Sequence, residues 1–386
     1  MGISHFIQTT QMKFDPDIID LGIGHPHISL LPIRTIQSAA EICLSSGIPD
    51  FLQYGAEQGD GFLRSALATF LSQGYGSDLT DDSLFITNGA SQGLDLVCTL
   101  FTHPGDTILV EEPSYFLALK IFSDHHLNII SIPTGKDGLN LDRLEELLQR
   151  IQPVMLYTVP TYQNPGGFTM SLDHRKRLAE LSKIHKFLIV ADEVYHYLYF
   201  TKPPPRAFAG YIHMGNIISL GSFSKILAPG LRLGWIVTSP DNICSLVNCG
   251  LLDSGGGLNP FTSAIVYQIV KSNMLNDNLV NLRRIYSSRA SVMDTTLTQY
   301  LPDIEYQKPE GGYFFWIRLP EGKNAKTLLD QARNYKVNFH PGERFSSQDG
   351  LSNYLRLCFA YYDEDSLNQG IQRLQQAYNA SNQSYR

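Results

Sequence analysis

Gly221-Ser222-Phe223-Ser224-Lys225-Ile226-Leu227-Ala228-Pro229-Gly230-Leu231-Arg232-Leu233-Gly234-Trp235 sets one lysine between two hydroxyls and one arginine, with mostly apolar residues between them. A lysine amine starts from a pKa of about 10.4, so it becomes a nucleophile near neutrality only through desolvation or a neighbouring cation. The apolar residues supply the first. Ser222, Ser224 and Arg232 offer the hydroxyls and the fork of N–H groups that a phosphate dianion takes. Taken alone, Lys225 reads as a surface lysine after a strand; its neighbours favour a reactive amine beside a phosphate site.

Outward from this stretch, residues 80–240 alternate short runs of branched apolar residues with longer helical patterns. The runs are Ser83–Thr87, Thr107–Glu111, Asn128–Ile132, Val154–Val159, Phe187–Ala191, Asn216–Leu220 and Leu233–Thr238. Between them lie patterns such as Leu141–Arg150, with leucines on one face and charges on the other. Such alternation predicts an α/β fold: a large domain with a mainly parallel, mixed seven-stranded sheet covered by helices. The C-terminal third changes character. A long helix over Asn276–Tyr300, a strand over Tyr354–Phe359 and a last helix from Glu364 to about Ala377 predict a smaller α+β domain, with N-terminal residues packed on it. The expected division is 45–275 for the large cofactor-binding domain, and 1–44 with 276–386 for the small one. Only the polar tail Asn379–Arg386 reads as disordered.

In open α/β sheets ligands gather beyond the carboxyl ends of the strands, so the residues that end each run matter most. Phe187–Ala191 ends in Asp192-Glu193-Val194-Tyr195. A carboxylate there could meet a pyridine nitrogen, a pairing worth about 4 kcal/mol at about 4 Å and an effective dielectric near 20. Val154–Val159 leads to Gln163-Asn164-Pro165-Gly166, where Asn164, like Tyr195, could donate to a ring oxygen. Leu84-Phe85-Ile86 leads to Asn88-Gly89-Ala90-Ser91-Gln92 at a helix start, whose backbone N–H groups suit a phosphate. Tyr115 follows Ile108-Leu109-Val110 closely enough to stack on the ring. Singly these read as a common strand end, an ordinary turn and an N-cap; in this order they fit pyridoxal 5′-phosphate, anchored by its phosphate and held by a lysine.

Charge and cysteines narrow the field. The net charge of −7 and the lack of any Lys/Arg block argue against a nucleic-acid partner. The five scattered cysteines read as reduced, mostly core residues. Met1–Phe6 shows no secretory pattern, and Phe6 spoils the myristoylation pattern begun by Met1-Gly2. No apolar stretch approaches the roughly 20 residues that span a bilayer, so no membrane partner and a cytoplasmic location are expected.

On these pieces, with Tyr54…Gly59…Leu63-Arg64, Pro309-Glu310-Gly311-Gly312 and Tyr354-Leu355-Arg356, the chain resembles the fold-type I pyridoxal-phosphate enzymes, specifically class I/II aminotransferases, over nearly its whole length. The resemblance implies Lys225 as Schiff-base lysine and proton shuttle, Asp192 on the ring nitrogen, and Asn164 and Tyr195 on the ring oxygen. It implies Ala90, Ser91, Ser222, Ser224 and Arg232 around the phosphate, and a homodimer in which Tyr54 reaches that phosphate from the other subunit. Arg356, one charge in an apolar strand, reads either as an internal salt bridge or as a bidentate clamp on a substrate α-carboxylate; the resemblance favours the clamp. Gly24, His25 and Asn164 join it as substrate-binding candidates, although His25 also reads as an ordinary turn residue.

Leu21-Gly22-Ile23-Gly24-His25-Pro26…Leu31-Pro32 and Gln53-Tyr54-Gly55 look most like the branch of 2-aminoadipate, kynurenine, aromatic and branched-chain aminotransferases. Asp253–Pro260 carries no arginine where an aspartate-type enzyme would present one, which argues against narrow aspartate specificity. The implied reaction moves an α-amino group to a 2-oxo acid such as 2-oxoglutarate or pyruvate by ping-pong kinetics. The rivals are the same cofactor serving a lyase, decarboxylase or aminocyclopropane-carboxylate synthase, and the effector domain of a transcription regulator. The regulator would need a basic winged-helix segment, whereas the aminotransferase-like pattern begins by about Ile19.

Overall fold

Stretches such as Leu188-Ile189-Val190-Ala191 are apolar on both faces, which suits strands sandwiched between helical layers. The computed structural model describes residues 10–11 and 15–383, so the reading of Met1–Phe6 lies outside the described residues. In chain order the strands are β1 (Ile19–Asp20), β2 (Leu84–Thr87), β3 (Thr107–Glu112), β4 (Asn128–Gly135), β5 (Gly138–Leu139), β6 (Met155–Thr158), β7 (Leu188–Asp192), β8 (Ile217–Ser222) and β9 (Gly234–Thr238). The C-terminal third adds β10 (Glu305–Tyr306), β11 (Phe314–Arg318), β12 (Val337–Asn338), β13 (His340–Pro341) and β14 (Tyr354–Cys358).

The central sheet has the order β2-β9-β8-β7-β6-β3-β4-β5. Strands β4, β3, β6, β7 and β8 run parallel, and β9 runs antiparallel to both β8 and β2. The seven expected strands are joined by an eighth, the two-residue β5, which folds back antiparallel on the end of β4. Alternate residues feed two cores: Leu109, Leu156 and Ile189 face one, Ile108, Tyr157 and Val190 the other.

A second sheet, β10-β11-β14-β13, is antiparallel throughout. Strand β1 pairs in parallel with β12, which ties the N-terminal segment to the C-terminal third. The helix Ile33–Ser45 instead packs on the helix Pro260–Lys271. The long helix spans Met274–Tyr300 and packs against the last one. That last helix corrects the expected disordered tail: it runs from Glu364 to Gln383, because Ile371, Leu374, Ala377, Tyr378 and Ser381 continue a buried stripe past the polar composition. Ser384–Arg386 lie outside the described residues. All five cysteines are unpaired thiols, four buried and Cys244 exposed, and no described helix is long and apolar enough to cross a membrane.

Candidate active site

Strand register gathers the predicted residues at one edge of the central sheet. Thr87, Gly234 and Ser222 are neighbours across β2, β9 and β8. Because β9 is antiparallel, Arg232 just before it lies at the same edge as the residues that follow β2 and β8. Gly89 holds φ at 87° and caps the helix Ala90–Phe101. A Cβ on Gly89 would stand 2.8 Å from Arg232 Nη2, so only glycine lets this guanidinium approach the helix start. Arg232 Nη2 donates to the Asn88 carbonyl at 3.2 Å, and Ser222 Oγ accepts from the Ser224 amide at 3.1 Å. Ala90, Ser91, Ser222, Ser224 and Arg232 therefore form a cationic, donor-rich cradle at a helix N-terminus, which fits a phosphate.

Asp192 closes β7 and is buried, 7% exposed. Tyr157 on β6 donates to its Oδ2 at 2.9 Å, while Oδ1 has no partner among the described residues. An orphaned, buried carboxylate oxygen is costly unless a donor arrives, and a pyridinium N–H is such a donor. Burial pushes Asp192 up to about 6, against the lowering pull of Tyr157, the Val194 amide and Lys225.

Lys225 is half-buried, and its Nζ donates to the Gly24 carbonyl at 3.0 Å. The ammonium lies 5.4 Å from the ring centre of Tyr313 and 6.0 Å from that of Tyr195. Desolvation lowers its pKa to about 8, with Arg356 and Arg232 adding to the effect and Cys358 and Asp192 opposing it. The amine is thus far closer to a free nucleophile at neutral pH than an ordinary lysine. Tyr195 is buried edge-on to Tyr313 and Phe314. Tyr115 leads the helix Phe116–Asp124, and burial together with Asp192 lifts its phenol to about 12 while Arg356 opposes.

Arg356 sits on β14, 2% exposed. Its Nη1 donates to Asn164 Oδ1 at 2.8 Å and its Nη2 to the Gly22 carbonyl at 2.7 Å. Its Cζ lies 4.1 Å over the Phe314 ring, and Nε has no partner among the described residues. No carboxylate forms an ion pair with it among those residues, so the internal salt bridge is absent there and a buried positive charge faces the site. Burial lowers this guanidinium to about 10. Gly24 packs beside it, where a Cβ would lie 3.7 Å from Nη2. His25 is partly buried and its pKa is lowered by burial, then by Lys225 and Arg356, which puts it among the same charges.

Tyr54 is the predicted residue that the single chain does not pack into the cradle: it stands 83% exposed next to Gly55, which bridges to Gly257. The sequence reading missed Tyr157, whose only signal is a hydroxyl within an apolar strand. It also missed Glu111. This buried carboxyl accepts from Thr158 Oγ1, from the Val159 amide at 3.1 Å and from Gln163 Nε2 at 3.1 Å. Gln163 Oε1 in turn accepts from the Gly166 amide at 2.5 Å, so Glu111 pins the turn that carries Asn164. Burial raises Glu111 to about 7 despite these donors.

A lysine of lowered pKa, a buried carboxylate lacking one donor among the described residues and a cradle that fits a phosphate lie along one edge of an open mixed sheet, a layout that fits pyridoxal 5′-phosphate. The aminotransferase class I and II family model matches residues 16–374, and the chain belongs to that family. It is a pyridoxal-phosphate-dependent aminotransferase. An aromatic-amino-acid aminotransferase of Thermococcus litoralis is 35% identical over 97% of this chain and 91% of its own length. A 2-aminoadipate transaminase of Thermus thermophilus is 33% identical, covering 94% of this chain and 90% of the relative. Among solved structures, a multiple substrate aminotransferase from Thermococcus profundus superposes with a TM-score of 0.90 at 34% identity, over 96% of this chain and 93% of the other. A Pyrococcus horikoshii kynurenine aminotransferase in complex with PMP gives 0.89 at 34% identity, over 95% and 91%.

Proposed function

We propose that this aminotransferase takes the α-amino group from aromatic, branched-chain or 2-aminoadipate-like amino acids and passes it to a 2-oxo acid such as 2-oxoglutarate or pyruvate, both substrates using one site in turn. The observation that carries the reading is Arg356: a buried guanidinium without a counter-charge, its fork spread between Asn164 and Gly22, is built to receive an α-carboxylate. The aromatic and apolar side chains around it, Phe314 and Phe345, suit a donor with a large hydrophobic side chain. Relatives named for aromatic amino acids, kynurenine and 2-aminoadipate support the same range.

Bound pyridoxal 5′-phosphate supplies a carbonyl for the amine and an electron sink for the electrons released at Cα. Asp192 would hold the proton on the ring nitrogen, and Tyr157 keeps Asp192 oriented. Asn164 and Tyr195 would hold the ring oxygen, and Tyr115 would cover the ring face. Ala90, Ser91, Ser222, Ser224 and Arg232 hold the phosphate. Lys225 would take the proton from the substrate Cα as a general base whose lowered pKa lies near working pH. Arg356, with Gly24 and His25, orients the substrate so that this proton faces the lysine.

In this reading 45–275 is the cofactor domain, joined by the helix Ile33–Ser45 that packs on Pro260–Lys271, and the segment before that helix with 276–386 is the smaller one. Two copies assemble so that Tyr54 of each completes the other's phosphate cradle. Exposed Leu52, Tyr54 and Phe62 supply an apolar face for that contact. The test is a panel of donors, including phenylalanine, kynurenine, leucine and 2-aminoadipate, each mixed with 2-oxoglutarate or pyruvate. Stoichiometric formation of glutamate or alanine is expected; ammonia released without a new amino acid would point to a lyase.

A further inference from the structure

The 3-10 turn Gly342–Phe345 carries a second guanidinium without an acidic ion-pair partner among the described residues. Arg344 lays its Cζ 4.5 Å over the ring of Phe116, the residue after Tyr115, and its Nη1 meets His340 Nδ1 at 3.0 Å. An arginine only donates, so Nδ1 of His340 accepts and the ring proton sits on Nε2. His340 faces Arg356 across the β13–β14 pairing. Burial, Arg356 and Arg344 drive its pKa to about 3, so the imidazole between the two arginines is neutral. No carboxylate forms an ion pair with Arg344 among the described residues. Asp20 acts on Arg344 through its field. Its oxygens, however, accept from the Gly22 amide at 2.8 Å and from Asn338 Nδ2 at 2.8 Å.

The loop is held in place. The Ser114 amide donates to the Phe345 carbonyl at 2.8 Å, and Glu112 at the end of β3 accepts from Ser346 Oγ and, at 3.1 Å, from the Ser347 amide. Phe345 packs edge-on against Phe116, with ring centres 5.3 Å apart, and lies 5.0 Å from the Arg356 guanidinium. Arg344, itself exposed, is thus held on the aromatic wall of Phe116 and Phe345 that also touches Arg356.

We propose that Arg344 is a specificity residue: with Arg356 on the α-carboxylate, it takes the distal carboxylate of a dicarboxylic amino or 2-oxo acid. This assignment rests on the aminotransferase reading above and extends it to a substrate class. It gives the chain a distal anion reader although Asp253–Pro260 contains no arginine. A guanidinium held over an aromatic ring, with donors beyond the one on His340, suits a charge-assisted contact with a carboxylate.

The test compares wild type with Arg344→Gln and Arg344→Lys, all loaded with cofactor and checked for unchanged melting temperature. Calorimetric titration with glutarate and butyrate reads binding without turnover, and KM for 2-oxoglutarate and pyruvate reads it with turnover. Arg344→Gln is expected to weaken glutarate and raise KM for 2-oxoglutarate by about tenfold, the lower end for a charged hydrogen bond at a partly open position, with Arg344→Lys in between. Butyrate affinity and KM for pyruvate move by less than about twofold. Equal losses on mono- and dicarboxylates, or no loss on either, would overturn the assignment. A wild type that transfers to neither oxo acid overturns the aminotransferase reading instead.

Discussion

The guanidinium of Arg356 donates to the side-chain oxygen of Asn164 across 2.8 Å, joining a residue of the small sheet to a turn beyond β6. This bond fixes the amide of Asn164: with its oxygen committed to arginine, its NH2 group is left to donate to the cofactor. In the proposed reaction Arg356 therefore has two roles, one on the substrate and one through Asn164. Arg356→Lys keeps the charge but loses the fork, and kcat/KM for every amino donor is expected to fall roughly a hundredfold. Steady-state kinetics across the donor panel checks this; a loss confined to one donor would contradict a role on the shared α-carboxylate.

Tyr157 is the side-chain donor to Asp192 and, with the Val194 amide and Lys225, opposes the effect of its burial. Tyr157→Phe removes that bond, so the carboxyl, about 6 in the chain alone and lower beside a bound pyridinium, rises in either state. The proposed role of Asp192 requires the carboxylate, so the expected loss is on the acid side. The acid limb of kcat/KM is expected to move up by about one pH unit, with activity near pH 8.5 largely kept. A profile from pH 5.5 to 8.5 on both proteins measures the shift.

Glu111 gives a stability prediction. Its folded pKa, about 7, is raised above the ordinary 4.5. Between those values the folded state binds more protons than the unfolded one, so the stability contribution of Glu111 falls as pH rises from about 4.5 and is lowest above about 7. The accumulated penalty is at most about 3 kcal/mol. Glu111→Gln removes this titration, so the melting temperature of the cofactor-free variant should gain on wild type between pH 5 and pH 8. A constant difference across that range would contradict the buried, titrating carboxyl.

The proposed dimer is checked by mass. Sedimentation should give twice 43.2 kDa for wild type. Phe62→Glu places a charge on the exposed apolar face beside Tyr267 and is expected to yield monomer with weakened cofactor binding, since Tyr54 then no longer reaches the second cradle. A Tyr54→Ala variant that stays dimeric yet binds cofactor several-fold more weakly would isolate the contribution across the interface.

The strand ends were legible because an open sheet gathers chemistry at one edge, and Asp192, Asn164, Lys225 and Arg232 interrupt apolar runs there. Arg356 was legible for the same reason, as one charge in a strand otherwise free of it. Tyr157 was not, since a tyrosine in a buried strand looks like packing until its hydroxyl meets Asp192. Glu111 looked like an ordinary strand end because its partners, Thr158 and Gln163, come from another strand and turn. Arg344 stands in a polar loop, where only the folded chain reveals Phe116 beneath it and Arg356 nearby. Strand β5, two residues long, and the last turns of the final helix fall below what periodicity resolves.

The central claim is that the amine of Lys225 carries the cofactor and the chemistry. The direct measurement is borohydride reduction of the cofactor-loaded protein followed by peptide mapping, run beside Lys225→Ala. Wild type should be yellow, lose that colour on reduction and carry the cofactor's mass on Lys225 alone, while Lys225→Ala takes up no reducible label and transfers no amine. A colourless protein indifferent to added pyridoxal phosphate, or a label on another lysine, would contradict the account.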